Sequence, residues 1–338
     1  MFSLLVGDCL HALSQLSDNT FHAVVTSPPY FHLRDYKNPR QIGLGRTPEA
    51  YIQSLVAVFR EVRRVLRGDG TLFLNIGDSY AKGPLPHGIK KKDIIGIPWM
   101  LAFALRADGW HLRTEIIWSK PNGTPESVRD RPSRCHEYVF LLTKRAKYYY
   151  DRTAVLEPNT SARPKGRKAA LLAAGQKNGG KWAANADVRG GFVTWNPRGR
   201  NKRTVWSIPT ASFRPERLGI TDVNHFALFP PALVLPCILA GTSQAGCCPM
   251  CGAPWRRMVS DTDDPVQDGW RQACKCSPVP PVPCTVLDPF AGSCTSGVVA
   301  IEQSRNFVGL ELNPDYARLG QARLDDAASR MAQKAGAA

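Results

Sequence analysis

Val286-Leu287-Asp288-Pro289-Phe290-Ala291-Gly292-Ser293-Cys294-Thr295-Ser296-Gly297 reads as an apolar strand (284–288), a tight turn of small residues and the start of a helix (295–304). Small side chains let a backbone close on a nucleotide-like ligand, and a helix N-terminus offers unpaired N–H groups to its polar atoms. About 20 residues further on, Glu311 ends the next apolar strand, Asn306 to Leu310, where an acid accepts ribose hydroxyls in dinucleotide folds. An ordinary strand-to-helix turn is the plain alternative, and the acid at the following strand end weighs against it.

The same alternation extends outward in both directions. Residues 2–7 and 21–27 read as short buried strands, with a short helix from His11 to Leu16 between them. Tyr51, Leu55, Val58, Phe59, Val62, Val65 and Leu66 form the apolar stripe of a helix over 48–67, which Gly68-Asp69-Gly70 is expected to stop. Strands are expected at 71–77, 115–119 and 138–142, and helices at 95–108, from His225 to Ala240, and from Pro314 to about Met331. Apolar strands alternating with helices predict an α/β fold whose mostly parallel sheet is covered on both faces. Between about 155 and 217 only Lys168 to Ala174 keeps a periodic pattern, and so long a stretch without one inside a domain is usually functional.

The chain has 338 residues and a formal net charge of +16, with a sequence pI of about 9.6. The positive charge concentrates between Arg152 and Arg217, where acids are sparse. Such a field attracts polyanions, and no basic amphipathic helix with a clean apolar face accompanies it, so nucleic acid is favoured over a membrane surface. Arg163, Arg167, Arg198, Arg200 and Arg203 are candidate phosphate contacts. No apolar run approaches the ~20 residues of a membrane span, and the N-terminus carries a charge too early for a signal peptide. A cytoplasmic protein is the expectation.

Thr26-Ser27-Pro28-Pro29-Tyr30 directly follows an apolar strand. Ligands in open α/β sheets bind beyond the carboxyl ends of strands. Two successive prolines fix φ and remove two donors, leaving a stiff loop with the Ser27 hydroxyl and carbonyl acceptors beside a flat Tyr30 ring. An acceptor pair next to an aromatic face suits a base extruded from a duplex and held by its amino group and ring. Taken alone, the loop reads equally well as a strand-ending proline turn with a packed tyrosine.

Of ten cysteines, Cys247, Cys248, Cys251, Cys274 and Cys276 cluster. Cys248-Pro249-Met250-Cys251 and Cys274-Lys275-Cys276, about 22 residues apart, have the pairing that a tetrahedral zinc ion needs. Gly252 suits a knuckle around the metal, with Cys247 as a less fitting substitute for Cys248; unligated thiols in a loop are the alternative. A four-thiolate set leaves no open position, so this zinc is structural and staples an insertion too small for its own core. Asp78 and Ser79 read as a capped loop, His32, His87 and His136 as packed or solvated side chains, and Tyr148-Tyr149-Tyr150 as either a DNA-stacking patch or a strand edge.

Ser-Pro-Pro-Tyr near the start and Asp-Pro-Phe-Ala-Gly-Ser near the end resemble the motifs of the amino-methyltransferases of restriction–modification systems. Their order resembles that of the permuted beta group, in which catalytic motif, target-recognition region and cofactor motif follow in that sequence. Trp118-Ser119-Lys120-Pro121-Asn122, Asp130-Arg131, His136-Glu137 and the segment His225 to Pro230 are also similar to family segments, so the likeness covers nearly the whole chain. The resemblance implies a Rossmann-like, circularly permuted S-adenosylmethionine-dependent methyltransferase fold with a small zinc-binding insertion. It divides the chain into a catalytic part (1–154), a basic target-recognition region (155–217), a cofactor-binding part (218–245 and 281–338) and the zinc insertion (246–280).

The resemblance further implies that Ser27, Pro28, Pro29 and Tyr30 are catalytic. Asp8 and Cys9 of the opening strand, Asp288, Phe290, Ala291, Gly292, Ser293, Cys294, Thr295 and Glu311 would form the S-adenosylmethionine site. The implied partner is duplex DNA, with a base flipped for direct attack and a cognate restriction endonuclease alongside; monomer and homodimer are both compatible. A motif beginning with Ser resembles the N4-cytosine enzymes more than the N6-adenine ones, so cytosine N4 is the expected target. N6-adenine methylation, RNA methylation and a catalytically weakened DNA-binding protein are the rivals. The last draws on Cys294, which stands where the family usually has Gly: a turn needing φ > 0 there would be strained by about 1–3 kcal/mol, and a turn that tolerates a small side chain is the favoured expectation.

Overall fold

The predicted strands all become strands of one mixed sheet, with helices packed on both of its faces. The computed structural model describes residues 1–33, 38, 40–44, 47–123, 125–160, 196, 198–222, 229–258 and 269–336. The strands are β1 (Phe2–Val6), β2 (Phe21–Thr26), β3 (Leu66–Ile76), β4 (His111–Ser119), β5 (His136–Thr143), β6 (Val205–Ser207), β7 (Arg256–Met258), β8 (Gly269–Arg271), β9 (Thr285–Asp288) and β10 (Asn306–Glu311). The α-helices among the described residues are α1 (Cys9–Ser14), α2 (Pro48–Val65), α3 (Ile97–Ala107), α4 (Pro231–Gly241), α5 (Thr295–Glu302) and α6 (Pro314–Gly336).

Eight strands form the main sheet in the order β1-β10-β9-β2-β3-β5-β4-β6. Only β5 runs against its neighbours, pairing antiparallel with both β3 and β4. The carboxyl ends of the other strands therefore share one edge. The last two strands of the chain lie between the first two: β10 pairs with β1, and β9 with β2.

Side chains alternate across this sheet as the pleat requires. Val24, Leu72, Leu74, Phe140, Leu142 and Leu287 face α1, α2 and α3. Val25, Phe73, Val139, Leu141 and Val286 face α4, α5 and α6. α2 contributes Tyr51, Leu55, Val58, Phe59, Val62 and Val65, all buried. Burial of each such side chain stabilises by about 1.5–3 kcal/mol before conformational entropy is counted.

Three expectations are corrected. α2 stops at Val65, and Gly68-Asp69-Gly70 lies inside β3. The β2–β3 register shifts there, from Phe21 opposite Leu66 to Ala23 opposite Thr71, so the glycines accommodate a bulge. A Cβ on Gly70 would sit 2.5 Å from the Leu66 side chain. The 155–217 stretch contains a strand, β6, which the composition hid because it is only three residues long; it extends the sheet edge by pairing with β4. Tyr148 to Tyr150 are not a strand, and Tyr149 is buried with its N–H on the Asp69 carbonyl. Lys168 to Ala174, Arg163, Arg167 and the first residues of the helix expected from His225 lie outside the described residues; α4 begins at Pro231.

Candidate active site

The prolines after Thr26 end β2, because neither can donate to a ladder. The loop they create is held from three sides. The Tyr51 hydroxyl donates to the Pro29 carbonyl at 2.8 Å. The buried Thr26 hydroxyl donates to Asp288 Oδ1 at 2.6 Å, tying the end of β2 to the end of β9. The Tyr30 hydroxyl donates to Glu137 Oε2 at 2.5 Å. Ser27 to Tyr30 line one wall of a cavity of about 430 Å³ at the carboxyl edge of the sheet.

The opposite wall comes from the end of the chain. Phe290, Ala291, Gly292, Ser293, Thr295 and Glu311 line the same cavity, as do Asp8 and Cys9 from the start. Gly292 turns with φ +52°, and its N–H donates to Glu311 Oε2 at 2.7 Å while Asn313 N–H donates to Oε1 at 2.8 Å. Burial raises the Glu311 pKa above the usual carboxylate range. Asp8 Oδ1 caps α1 by accepting from His11 N–H at 3.0 Å. The Cys9 thiol, pushed up to about 12 chiefly by burial, is neutral and no nucleophile.

Two residues expected to touch the cofactor lie behind this wall. Asp288 and Cys294 are fully buried and do not line the cavity. Asp288 takes the hydroxyls of Thr26 and Ser296 and the Phe290 N–H, and burial raises its pKa to about 6. It braces the turn. Cys294 caps α5 at φ +60°, ψ 37°, so the position does demand the left-handed region and the chain accepts the strained alternative. Its thiol fits because residue 320 is glycine: a Cβ there would stand 2.6 Å from Cys294 Sγ. Buried Arg323 holds the turn from beneath, donating to the Ser293 carbonyl, to Ser293 Oγ at 2.8 Å and to Thr295 Oγ1 at 3.1 Å.

The cavity takes in further residues that carried no role in the sequence, although Trp118, Lys120 and Glu137 stand in the family-like segments Trp118–Asn122 and His136-Glu137. Asn75, Trp118, Lys120 and Glu137 line the cavity beside Tyr30, and Asn313 and Tyr316 line it beside Glu311. Glu137 accepts from Tyr30, from Asn75 Nδ2 at 3.0 Å and from Lys120 Nζ, and Lys120 lies over the Trp118 ring at 4.3 Å. Tyr30 has its pKa raised, first by burial and then by Glu137, while hydrogen bonding with the Ser27 side chain acts in the opposite sense. The signal available was a pair of charges at the ends of apolar strands. Asp78 caps α3, accepting from the Gly96 and Ile97 N–H groups, as expected of a capped loop.

The cysteines gather at the opposite edge of the sheet. One thiol from each of Cys248, Cys251, Cys274 and Cys276 lies within 4.8 Å of the others. Gly252 N–H donates to the Cys248 carbonyl at 2.8 Å, the backbone turn of a knuckle. Cys247 is not in this set; it is buried beside His22 and Cys284. Both nitrogens of His22 are engaged there, with the Gly252 carbonyl at 2.9 Å and the Thr285 N–H at 3.1 Å. Of the candidate phosphate contacts, Arg200 and Arg203 pair with Glu157, and Arg203 remains mostly exposed. Arg198 donates its backbone N–H to Asn196 Oδ1 at 2.9 Å.

Comparison with known proteins adds an independent line. A family model described as DNA methylase matches residues 21–268 and 276–322. The type II methyltransferase M.SmaI of Serratia marcescens is 40% identical over 341 residues, covering 95% of this chain and 90% of its own. M.Cfr9I of Citrobacter freundii, also a type II methyltransferase, is 38% identical over 342 residues, covering 95% and 87%. Among solved structures, the PvuII DNA methyltransferase (cytosine-N4-specific) superposes with a TM-score of 0.60 at 17% identity, over 97% of this chain and 92% of that one. A putative DNA modification methylase of Thermus thermophilus, in complex with S-adenosyl-L-methionine, gives 0.52 at 21% identity, over 97% and 95%.

Proposed function

The chain belongs to the N6/N4 DNA methylase family, as a beta-group amino-methyltransferase of restriction–modification type, and from that premise we propose that it methylates the N4 amino group of a cytosine in duplex DNA. The observation that carries the proposal is a single cavity with the Ser27–Tyr30 loop on one wall and the Phe290–Thr295 turn with Glu311 on the other. A direct transfer needs donor and acceptor in one enclosure, held within ~3–3.5 Å at reaction.

The second wall suits S-adenosylmethionine. Gly292 curves the turn, Phe290 offers a flat face, and Glu311 and Asp8 offer carboxylates to hydroxyl and amino groups. When bound, S-adenosylmethionine supplies an electrophilic methyl group on a sulfonium. The protein's part is to receive the base. Ser27 and the Pro28 carbonyl accept hydrogen bonds from its two amino hydrogens, which favours a more tetrahedral nitrogen with its lone pair turned out of the ring, and one of those protons leaves to solvent once the nitrogen carries the methyl group. Tyr30 stacks on the extruded ring. No covalent intermediate is required, so the neutral Cys9 thiol has no chemical duty. Positioning and fixed dipoles provide the acceleration.

Ser27 at the head of the motif supports cytosine over adenine, in keeping with the fold shared with an enzyme described as cytosine-N4-specific. The motif order, with catalytic strands first and β9 and β10 last, supports a permuted arrangement. Basic residues between 155 and 217 serve as the DNA-recognition region in this reading. Labelled S-adenosylmethionine incubated with unmethylated duplex DNA, followed by nucleoside mass spectrometry, gives N4-methylcytosine. N6-methyladenine would hand the site to the rival base, and DNA binding without transfer would make the chain a non-catalytic binder.

Zinc completes the proposal. Cys248, Cys251, Cys274 and Cys276 converge as a closed tetrathiolate site needs, remote from the cavity. Metal analysis of the purified protein should find about one zinc ion per chain, and Cys251→Ser should release it. Purification without zinc from zinc-replete medium would sink this assignment.

A further inference from the structure

Positive charge is not confined to the 155–217 stretch. β3 lies parallel to β2, so the loop that leaves β3 springs from the same edge of the sheet as Ser27 to Tyr30. Residues 79–95 of that loop form a hairpin. Ile95 N–H donates to the Ser79 carbonyl at 3.0 Å, Ala81 N–H to the Asp93 carbonyl at 2.9 Å and Lys92 N–H to the Ala81 carbonyl at 2.8 Å. Leu85 N–H closes the tip on the Ile89 carbonyl at 2.9 Å. Ala81 and Ile95 are buried in the core, and the Ser79 hydroxyl donates to the carbonyl of Phe31, the residue after Tyr30, at 3.5 Å. Lys82, Lys90, Lys91 and Lys92 are exposed on this hairpin. We propose that the 79–95 hairpin is a second DNA contact, a clamp on the phosphate backbone beside the reacting base that reads no sequence.

The charge on the hairpin is available. Lys92 pairs with Asp130 at 2.6 Å, whereas Lys82, Lys90 and Lys91 have no acidic partner among the described residues. Asp93 is the one acid of residues 79–95, and its Oδ2 accepts from the Lys90 N–H at 2.8 Å. In the 155–217 region, by contrast, Arg200, Lys202 and Arg203 all converge on Glu157. The hairpin is also held from the side by the loop after β4. Arg131 lies over the Tyr80 ring at 3.5 Å, and Arg134 pairs with Asp78 at 3.7 Å. His87 and Lys92 adopt left-handed backbone, with φ 58° and 77°. That conformation is disfavoured for side chains of this size and persists only where the surroundings over-determine it, as the Asp130 pair does for Lys92. Ammonium groups act on phosphate as point charges without reading bases, and a row ordered in advance loses little freedom on binding. A base extruded into the cavity brings its flanking phosphates to this edge.

The proposal rests on the base reacting at the Ser27–Tyr30 loop of a duplex-DNA methyltransferase. Its test is filter binding of a radiolabelled duplex cut from unmethylated bacteriophage DNA, with the intact chain, across about 50–200 mM salt. Each lysine that neutralises a phosphate adds about 0.9 to the slope of log affinity against log salt. Lys82→Ala/Lys90→Ala/Lys91→Ala should therefore lower that slope by about 2–3 and weaken binding at ~0.1 M salt by about 10- to 100-fold, with melting temperature and cofactor affinity at parent values. Lys82→Arg/Lys90→Arg/Lys91→Arg keeps the charge and should bind within about twofold of the parent. Arg106, Arg145 and Lys147 are exposed at the end of α3 and after β5, at the far edge of the sheet. Replacing those three by alanine removes the same charge and should change affinity by less than about threefold. An unchanged slope in the first variant, or an equal loss in the far-edge variant, would overturn the inference. A parent chain that does not bind duplex DNA, or Ser27→Ala transferring methyl at the parent rate, would instead remove the reading beneath it.

Discussion

Replacing Gly77 by alanine probes the site with one carbon atom. Gly77 follows directly on β3, and its backbone is not in the left-handed region, so alanine is conformationally allowed there. The new Cβ would stand 2.6 Å from Tyr30 Cε2 and 3.4 Å from Glu137 Cγ. Carbon atoms approach comfortably to about 3.5–4.0 Å, so the Tyr30 ring must retreat by about 1 Å. That shift stretches the 2.5 Å bond to Glu137 and tilts the ring that lines the cavity. Misplacement on this scale slows a positioned reaction by about 100-fold, or about 2.7 kcal/mol of barrier. Folding should barely register the change, because an allowed Gly→Ala substitution stabilises by about 0.4–1 kcal/mol through the unfolded chain, which offsets part of the crowding. The assay is single-turnover methyl transfer beside thermal unfolding of the same preparation. An unchanged melting temperature with a rate within about threefold of the parent would refute the claim that the Tyr30 ring position limits the chemistry.

Two further changes test the cofactor turn. Asp288 has its pKa raised from 3.8 to about 6 by burial. Its contribution to stability is therefore full below pH ~4, falls as the unfolded chain alone ionises, and is lost above pH ~6, a span on the order of 3 kcal/mol. Asp288→Asn keeps an acceptor for Thr26 without the charge, so its melting temperature relative to the parent should rise between pH 4.5 and pH 7.5; a parallel pair of profiles would contradict the assignment. Gly320→Ala places a Cβ 2.6 Å from Cys294 Sγ. It should destabilise by about 1–3 kcal/mol and weaken cofactor binding, and Cys294→Gly in the same chain should restore both. Losses that simply add would show that the two positions are independent.

The features legible in the sequence were those encoded within a few residues. β9, the small-residue turn and α5 follow one another without interruption, and the Pro28-Pro29 break after β2 needs no distant partner. The cysteine spacings likewise carried their convergence, with Cys248 and not Cys247 among the four thiols that meet. Glu137 stood in a family-like segment, but its place beside Tyr30 was not legible, because the two meet across 107 residues of chain. Pairing of β5 with β3 in antiparallel register puts it there, and nothing local to His136-Glu137 encodes that register. Gly68 and Gly70 misled for the opposite reason. Glycine signals a stop wherever no partner strand is known, but beside β2 it makes room for a bulge. At Cys294 composition favoured a tolerant turn, whereas φ is set by the helix that must start there.

The two walls of the cavity come from opposite ends of the chain, yet their separation is fixed below the cavity and not across its mouth. Thr26 and Asp288 end β2 and β9, paired neighbours in the sheet, and their buried side chains are joined at 2.6 Å. Asp288 Oδ1 also takes the Phe290 N–H at 3.0 Å, so one carboxylate oxygen anchors both the strand that leads into Ser27 and the turn that leads into Gly292. Paired strands lie about 4.8 Å apart, which leaves little freedom for loops that spring from their ends. A methyl group passed directly between two ligands needs that constancy more than it needs a further contact to either of them. The acid in Asp288-Pro289-Phe290 thus acts as a brace between the two walls of the cavity. Its place behind the cavity explains why an ionisable group is kept where it is fully buried and its charge is disfavoured.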